Sequence, residues 1–235
     1  MRLAIMQPYF LPYIGYFQLM SSVDKLLLLD DVTFINGGWI NRNRIAIDGA
    51  PYWLTLPLAQ ASQNRLISEI VIVDDPSWKR KTLRTVELNY GSAPFAHDIL
   101  PLFSDMLKEA QGSLSTFLFH QLRRLADYIG IPIQIEQTSA KYPKEALTGQ
   151  RRILDLCVRE GAATYVNLPG GRSLYDAQSF AAAGIDLLFL DPNFPALTLR
   201  HSGQEGPCLS ILDLLMFNPV TAIREATEMF RLSPS

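Results

Sequence analysis

Cysteine is scarce in this chain. Two thiols, Cys157 and Cys208, stand among 235 residues, which excludes a disulfide framework and points to a reducing compartment. Histidine is nearly as rare: His97, His120 and His201 lie far apart and not at metal-ligand spacing. Basic charge is not in excess either. With 21 Lys and Arg against 23 Asp and Glu, the net charge of -2 excludes bulk binding to a nucleic-acid backbone. No apolar run reaches the roughly 18 residues of a membrane span. The run before Gln7 is too short for a signal peptide and no cleavage pattern follows it, so the cytoplasm is the expected location. The Gly-x-Ser-x-Gly elbow, His-Glu-x-x-His, Cys-x-x-Cys and the kinase motifs are all missing. Cys157 falls mid-helix, where a buried structural thiol is the default. Cys208 precedes a helix start, which can lower a thiol pKa, but no histidine is placed beside it.

What remains is ordinary globular material, 48% hydrophobic and 19% charged, enough for one large α/β domain over residues 1–235. Leu3–Met6 and Lys25–Leu29 are unbroken apolar runs of the kind buried inside parallel sheets. Helical spacing over Ile14–Ser22 joins them as a βαβ unit. A hairpin insertion is expected over about 36–60, with its turn at Gly49, and a further strand over Leu66–Val73. A helical segment fills about 77–130: Ser77 caps a helix to Tyr90, a second covers Asp98–Ala110, and a third, capped by Ser113 or Ser115, ends at Gly130. Strands at Ile133–Gln137, Thr164–Leu168 and Asp186–Leu190 then alternate with helices at Gly149–Glu160 and Ala177–Ala183. This pattern predicts a mostly parallel, three-layer, Rossmann-like sheet with a β-hairpin insertion.

Ligands in such sheets sit beyond the carboxyl ends of the strands. Four predicted strands end in useful groups. Gln7-Pro8-Tyr9 follows the first, inside QPYFLPYIGYF, which holds three Tyr, two Pro and a Gly. Asp30-Asp31 follows the second and offers a catalytic acid and base, a metal clip, or only a turn and a cap. Thr138-Ser139 follows another. Gly170, Gly171, Arg172 and Tyr175 of PGGRSLY follow the fourth, as an anion cradle or a tight turn. Trp39, Asn41, Arg42 and Asn43 add stacking and directional hydrogen bonds suited to a sugar or a base, or else form a hairpin with polar sides. Tyr13 and Tyr16 complete the candidate set. In LSILDLLMFNP, Ser210 caps a core helix and Asp213 sits in its first turn. A contact from Asp213 to a ligand or to Arg42 or Arg44 is the other reading.

The blocks MQPYFLPYIGYFQLM, VDKLLLLDDVTF, WINRNRI, WLTLPL, QRRILDLC, YVNLPGG…LYD, AGIDLLFL and LSILDLLMFN resemble the WbqC-like proteins, in family order across nearly the whole chain. One block departs: LTLRHSGQEGPC stands where the family tends to carry Tyr-x-Gln. The resemblance implies a place in the assembly of O-antigen and other surface glycans. It also implies transfer of an amino acid such as glycine, or another acyl group, to an amino sugar. The implied partner is a small molecule, a sugar nucleotide or an acyl donor, with no nucleic acid, and no motif names a cofactor or an oligomer. A second reading follows from Pro12-Tyr13-Ile14-Gly15-Tyr16. It is similar to the His-x-Gly-His site of nucleotidylyltransferases with Tyr in both His places, which favours nucleotide binding over nucleotide activation. A third is a non-catalytic binder of a glycan precursor.

Overall fold

The computed structural model describes residues 1–48, 50–193, 197 and 209–234. Strand β1 (Arg2–Met6) leads through a loop to helix α1 (Ile14–Ser21) and then β2 (Lys25–Leu28). The hairpin follows as β3 (Arg42–Ile47) and β4 (Ala50–Thr55). Three two-residue strands, β5 (Leu58–Ala59), β6 (Val71–Ile72) and β7 (Gly112–Ser113), form a small antiparallel patch. Between the last two run α2 (Pro76–Tyr90) and α3 (Ala96–Lys108). The chain continues as α4 (Leu114–Ile129), β8 (Gln134–Glu136), α5 (Gly149–Arg159), β9 (Thr164–Asn167), α6 (Ala177–Ala182) and β10 (Asp186–Pro192). It closes with α7 (Ile211–Phe217), α8 (Val220–Thr227) and β11 (Phe230–Pro234).

Six strands form the central sheet in the order β11-β10-β9-β1-β2-β8. All neighbours are parallel except β11, which closes one edge antiparallel to β10. Numbered by their appearance in the chain, the strands run 3-2-1-4-5-6 across the sheet, the doubly wound order of dinucleotide-binding folds. The path goes outward from β1 through β2 to β8, then returns to the other side of β1 as β9. The crevice at that reversal lies above the carboxyl ends of β1 and β9.

Side-chain alternation along the strands builds the three layers. Leu3, Ile5, Leu27, Tyr165, Leu187 and Phe189 point to one face and pack with Ile153, Leu156 and Cys157 of α5 and Phe180 of α6. Ala4, Leu26, Leu28, Val166 and Leu190 point to the other, into a larger core with Phe17 of α1, Leu122 of α4, Leu215 of α7 and Ile223 of α8. Each fully buried aliphatic or aromatic side chain contributes about 1.5–3 kcal/mol. Cys157 belongs to this packing, and burial pushes its thiol up to about 12. It stays protonated and inert at neutral pH. Cys208 and His201 lie outside the described residues.

Several local expectations need correction. The strand expected over Leu66–Val73 is interrupted by a 3-10 turn, Ile67–Glu69, and only Val71–Ile72 of it forms a strand. The Glu69 carboxylate accepts from the Leu66 N–H at 2.9 Å, and the Ile67 and Ser68 N–H groups go to the Val32 and Asp30 carbonyls. No regular ladder is left to form. Asp75, not Ser77, caps α2, accepting from the Ser77 and Trp78 N–H groups at 2.9 and 3.0 Å with Pro76 following it. Helix α3 begins at Ala96, so Pro101 lies inside it. Ser113 caps α4 through the Thr116 N–H, and Ser210 caps α7 through that of Leu212. Helix α8 and strand β11 have no counterpart in the sequence reading.

Candidate functional site

A cavity of about 460 Å³ occupies the reversal crevice. Gln7 and Tyr9, just past β1, form one side, and Asn167, Gly170, Gly171 and Tyr175, at and after the end of β9, form the other. Tyr13 and Trp39 also line it, with the apolar side chains of Met6, Leu29 and Leu168. A second lobe of about 230 Å³ adjoins it, lined by Tyr9, Pro12, Tyr13, Trp39, Asn43 and Arg44. Tyr9, Tyr13 and Trp39 are thus common to both lobes.

The opening motif is shaped to present these rings. The Tyr16 hydroxyl donates to the Gln7 carbonyl at 3.1 Å, and its ring packs on Tyr9 at 5.6 Å between centroids. Tyr16 itself is fully buried, so it props the wall from behind rather than lining it. Burial holds its phenol well above the ordinary value. Gly15 leaves room for its neighbour: a Cβ there would fall 2.3 Å from Cε2 of Tyr13. Phe10, Ile14 and Phe17 anchor the stretch in the core.

The hairpin supplies Trp39 and holds it. Arg42 lies over the Trp53 ring at 4.2 Å, Trp53 packs on Trp39 at 5.4 Å, and the Arg44 guanidinium sits 5.3 Å from the Trp39 ring. This ladder follows from strand register, because Arg44 pairs with Trp53 across β3 and β4, and Arg42 is two residues from Arg44 on the same face. Arg42 also donates to the Gly37 and Gly38 carbonyls, and Asn41 donates to the Leu56 carbonyl. Both therefore serve the hairpin and line neither lobe. Asn43 does line the small lobe, while its amide N–H₂ donates to the Phe10 and Leu11 carbonyls.

In PGGRSLY, residues Pro169–Leu174 form a 3-10 turn. Gly171 is required by close approach: a Cβ would meet Asn167 Nδ2 at 2.8 Å and Tyr175 Cε2 at 3.2 Å. At Gly170 nothing lies within 4 Å of that position. Gly171→Ala is therefore expected to cost about 1–3 kcal/mol in urea unfolding, while Gly170→Ala stays within about 0.5 kcal/mol of the parent. Equal effects at both positions would refute the close-approach argument. Arg172 turns away from the cavity. It donates to Asp191 at 2.8 Å and to Ser233 at 2.6 Å, and lies over Phe189, so it ties the turn to β10 and the edge strand β11.

Asp30 and Asp31 are buried, 2% and 4% exposed, and neither is among the residues lining the lobes. The Asp30 carboxylate accepts from the Ser115 hydroxyl at 2.6 Å, the Thr138 hydroxyl at 2.7 Å and the Ser139 N–H at 3.2 Å. The Asp31 carboxylate accepts from the Ser139 hydroxyl at 2.6 Å and from Arg152 at 2.8 and 3.1 Å. Arg152, 1% exposed, spends its remaining donors on Asp155 and on the carbonyls of Ser139, Tyr142 and Pro143. The pair with Ser139 is a buried knot joining the ends of β2 and β8 to α4 and α5. The sequence did carry a signal for Arg152, since it is a charge on the apolar stripe of α5 beside Ile153 and Leu156.

Residues 7–225 match the WbqC-like protein family. The chain belongs to that family. The match begins at Gln7, the first polar residue of the cavity wall, and ends in α8. This WbqC-like chain is similar to the uncharacterised protein Rv1507c of Mycobacterium tuberculosis, with 28% identity over 216 residues, covering 91% of this chain and 92% of that protein. No solved structure matches at a significant level.

The chemistry available in the cavity of this WbqC-like chain follows from its lining. Gln7 and Asn167 bring amides, and Arg44 brings a guanidinium, which the sequence offers only as a contact of Asp213. The Asn167 amide also donates to the Tyr165 hydroxyl at 3.1 Å, which fixes its orientation. Burial raises the phenols of Tyr9 and Tyr175 above their ordinary value, so both are neutral hydrogen-bonding groups at pH 7. No carboxylate or imidazole is among the described residues of either lobe. Nor do the described residues contain a group of three or more His, Cys, Asp or Glu able to hold a metal ion. Among them, no helix is long and apolar enough to cross a membrane. The divergent block LTLRHSGQEGPC falls, apart from Leu197, outside the described residues.

Proposed function

We propose that this WbqC-like protein is a transferase of surface-glycan assembly that holds a nucleotide-linked amino sugar in the crevice between β1 and β9. The group transferred to the sugar's amine is an acyl group, an amino acid such as glycine among the candidates. One observation carries the reading: the aromatic and amide-rich cavity coincides with the point where the 3-2-1-4-5-6 sheet reverses. That crevice is where sheets of this order take nucleotides. Tyr9, Tyr13, Trp39 and Tyr175 offer faces for a base or a sugar ring, and Gln7 and Asn167 offer directional partners for hydroxyls. The open space above Gly170 leaves the backbone approachable.

In such a transfer the amine nitrogen attacks the acyl carbon, the bond to the donor's leaving group breaks, and the amine proton departs with it or to solvent. The wall shared by the two lobes is where amine and acyl carbon would meet, with the neutral Tyr9 hydroxyl as a donor to the developing oxyanion. Asp30 and Asp31, expected from the sequence to serve as acid and base, have no step in this scheme because their oxygens are already taken in the buried knot. A second reading, nucleotide-sugar binding without turnover, draws on the lack of a carboxylate or imidazole among the described lining residues.

Titration calorimetry and thermal shift with UDP-, dTDP-, GDP- and CMP-linked hexosamines test the proposal. A ligand at 100 times its Kd stabilises the native state by about 2.7 kcal/mol, and free hexosamine is expected to do far less. Silence with every nucleotide would sink both readings. Binding with no acylated product from thioester or acyl-phosphate donors would select the second.

A further inference from the structure

Gln121 is out of place by composition. It sits on the buried stripe of α4, three residues after Leu118 and four before Leu125, and is 2% exposed. A polar side chain in such a place is costly unless both of its ends are satisfied. They are satisfied by one short piece of backbone. The side-chain carbonyl accepts from the Leu11 N–H at 3.2 Å, and the amide donates to the Tyr9 carbonyl at 3.3 Å.

The same backbone is also held by the hairpin and the segment before it. Asn43 donates to the Phe10 and Leu11 carbonyls at 3.1 and 2.7 Å, and the Phe10 N–H donates to the Trp39 carbonyl at 3.1 Å. What these contacts hold is strained. Leu11 has φ of 44°, a left-handed conformation that a branched L residue avoids, and it directly precedes Pro12, which disfavours helical backbone further. Such a residue persists where its surroundings over-determine it, and strain of this kind concentrates at ligand sites. The turn at Leu11 lets Tyr9 and Tyr13 line the same two lobes.

We infer that Gln121 is a positioning residue of the cleft. It lines neither lobe and acts through the backbone of Tyr9 and Leu11, keeping the strained turn that sets the wall shared by both lobes. Asn43 is its counterpart from the hairpin side. The inference rests on the proposed function only in taking that wall to be the ligand-contacting one.

Gln121→Met tests it, because methionine keeps the length and volume and removes both hydrogen bonds. Gln121→Glu is the second variant: it keeps the acceptor and places an oxygen against the Tyr9 carbonyl. Leu118→Ala, one turn away and fully buried, controls for general loss of stability. Two readouts are needed, affinity for a UDP-linked hexosamine and native-state hydrogen exchange of the Leu11 amide. In the Met and Glu variants, affinity is expected to fall about tenfold and the Leu11 amide to exchange about tenfold faster. Leu118→Ala should lower the melting temperature with Kd unchanged. A Met variant with parental affinity and Leu11 protection would overturn the inference and leave Gln121 as packing alone. If the parent binds no sugar nucleotide, the proposed function fails while the exchange readout still decides the role of Gln121.

Discussion

Arg152→Leu is expected to lower stability in equilibrium urea unfolding by about 3–5 kcal/mol, the cost of leaving a buried charge without its partner. The stranded charge is Asp31, whose side chain is 6% exposed and whose contact with Arg152 is 2.8 Å. Without Arg152 its carboxylate keeps the Ser139 hydroxyl, one donor for two oxygens. The carbonyls of Ser139, Tyr142 and Pro143 lose a donor in the same step. Total stabilities of about 5–15 kcal/mol are usual, so the variant forfeits a large part of its margin. Asp31→Asn should show a smaller loss, still above about 1 kcal/mol, because Arg152 loses the charge on Asp31 but keeps Asp155 at 2.9 Å as a counter-ion. The double variant Arg152→Leu with Asp31→Leu is expected to regain much of it, since a buried ion pair exchanged for apolar groups is often near neutral. Single variants within about 1 kcal/mol of the parent would contradict the buried-knot assignment. That result would return the carboxylates to the list of candidates for chemistry.

The second large effect belongs to Trp39. Trp39→Ala is expected to weaken binding of a nucleotide-linked hexosamine by about 30-fold, which corresponds to about 2 kcal/mol at an aromatic contact centre. The ring borders both lobes, so its loss opens both at once. Its effect on stability should be small by comparison, since Trp39 is 37% exposed in the free protein. Trp53 gives the contrast: it packs on Trp39 at 5.4 Å and lines neither lobe. Trp53→Ala should therefore cost only a few-fold in affinity, by freeing Trp39 to move. Calorimetric titration of the two variants side by side checks this order. A Trp53 effect equal to or larger than that of Trp39 would place the ligand outside the cavity, on the outer face of the hairpin.

The opening motif shows how far residues alone can be read. Gln7, Tyr9 and Tyr13 line the cavity, and the same stretch places Phe10, Ile14 and Phe17 in the core. Tyr16 looked equivalent to Tyr13 in sequence, yet it is fully buried and serves the Gln7 carbonyl. The helix start decides between them, because Tyr13 is the extended residue just before α1 while Tyr16 lies in its first turn. The hairpin divides in the same way. Trp39, Asn43 and Arg44 border the small lobe, while Asn41 and Arg42 are spent on the hairpin's own carbonyls. In PGGRSLY the glycines and Tyr175 face the cavity, and Arg172 is drawn to Asp191 and Ser233.

By itself the sequence determined the alternation of strands and helices, the parallel sheet and the edge on which Gln7, Asp30, Ser139 and Gly170 would gather. Those follow from local rules, the period of apolar residues and the glycines and caps that stop helices. Only the tertiary structure decided which of those groups line the cavity. Asp30 and Asp31 stand at the same edge as Gln7, but β2 lies one strand away from the reversal, and Arg152 and Ser139 come from distant elements to cover them. Gln121 reads as one polar residue in an apolar stripe until the turn at Leu11 is brought against it. A side chain's partners across 100 or more residues, here 110 for Gln121 and Leu11 and 121 for Arg152 and Asp31, are set by packing, which no local pattern encodes.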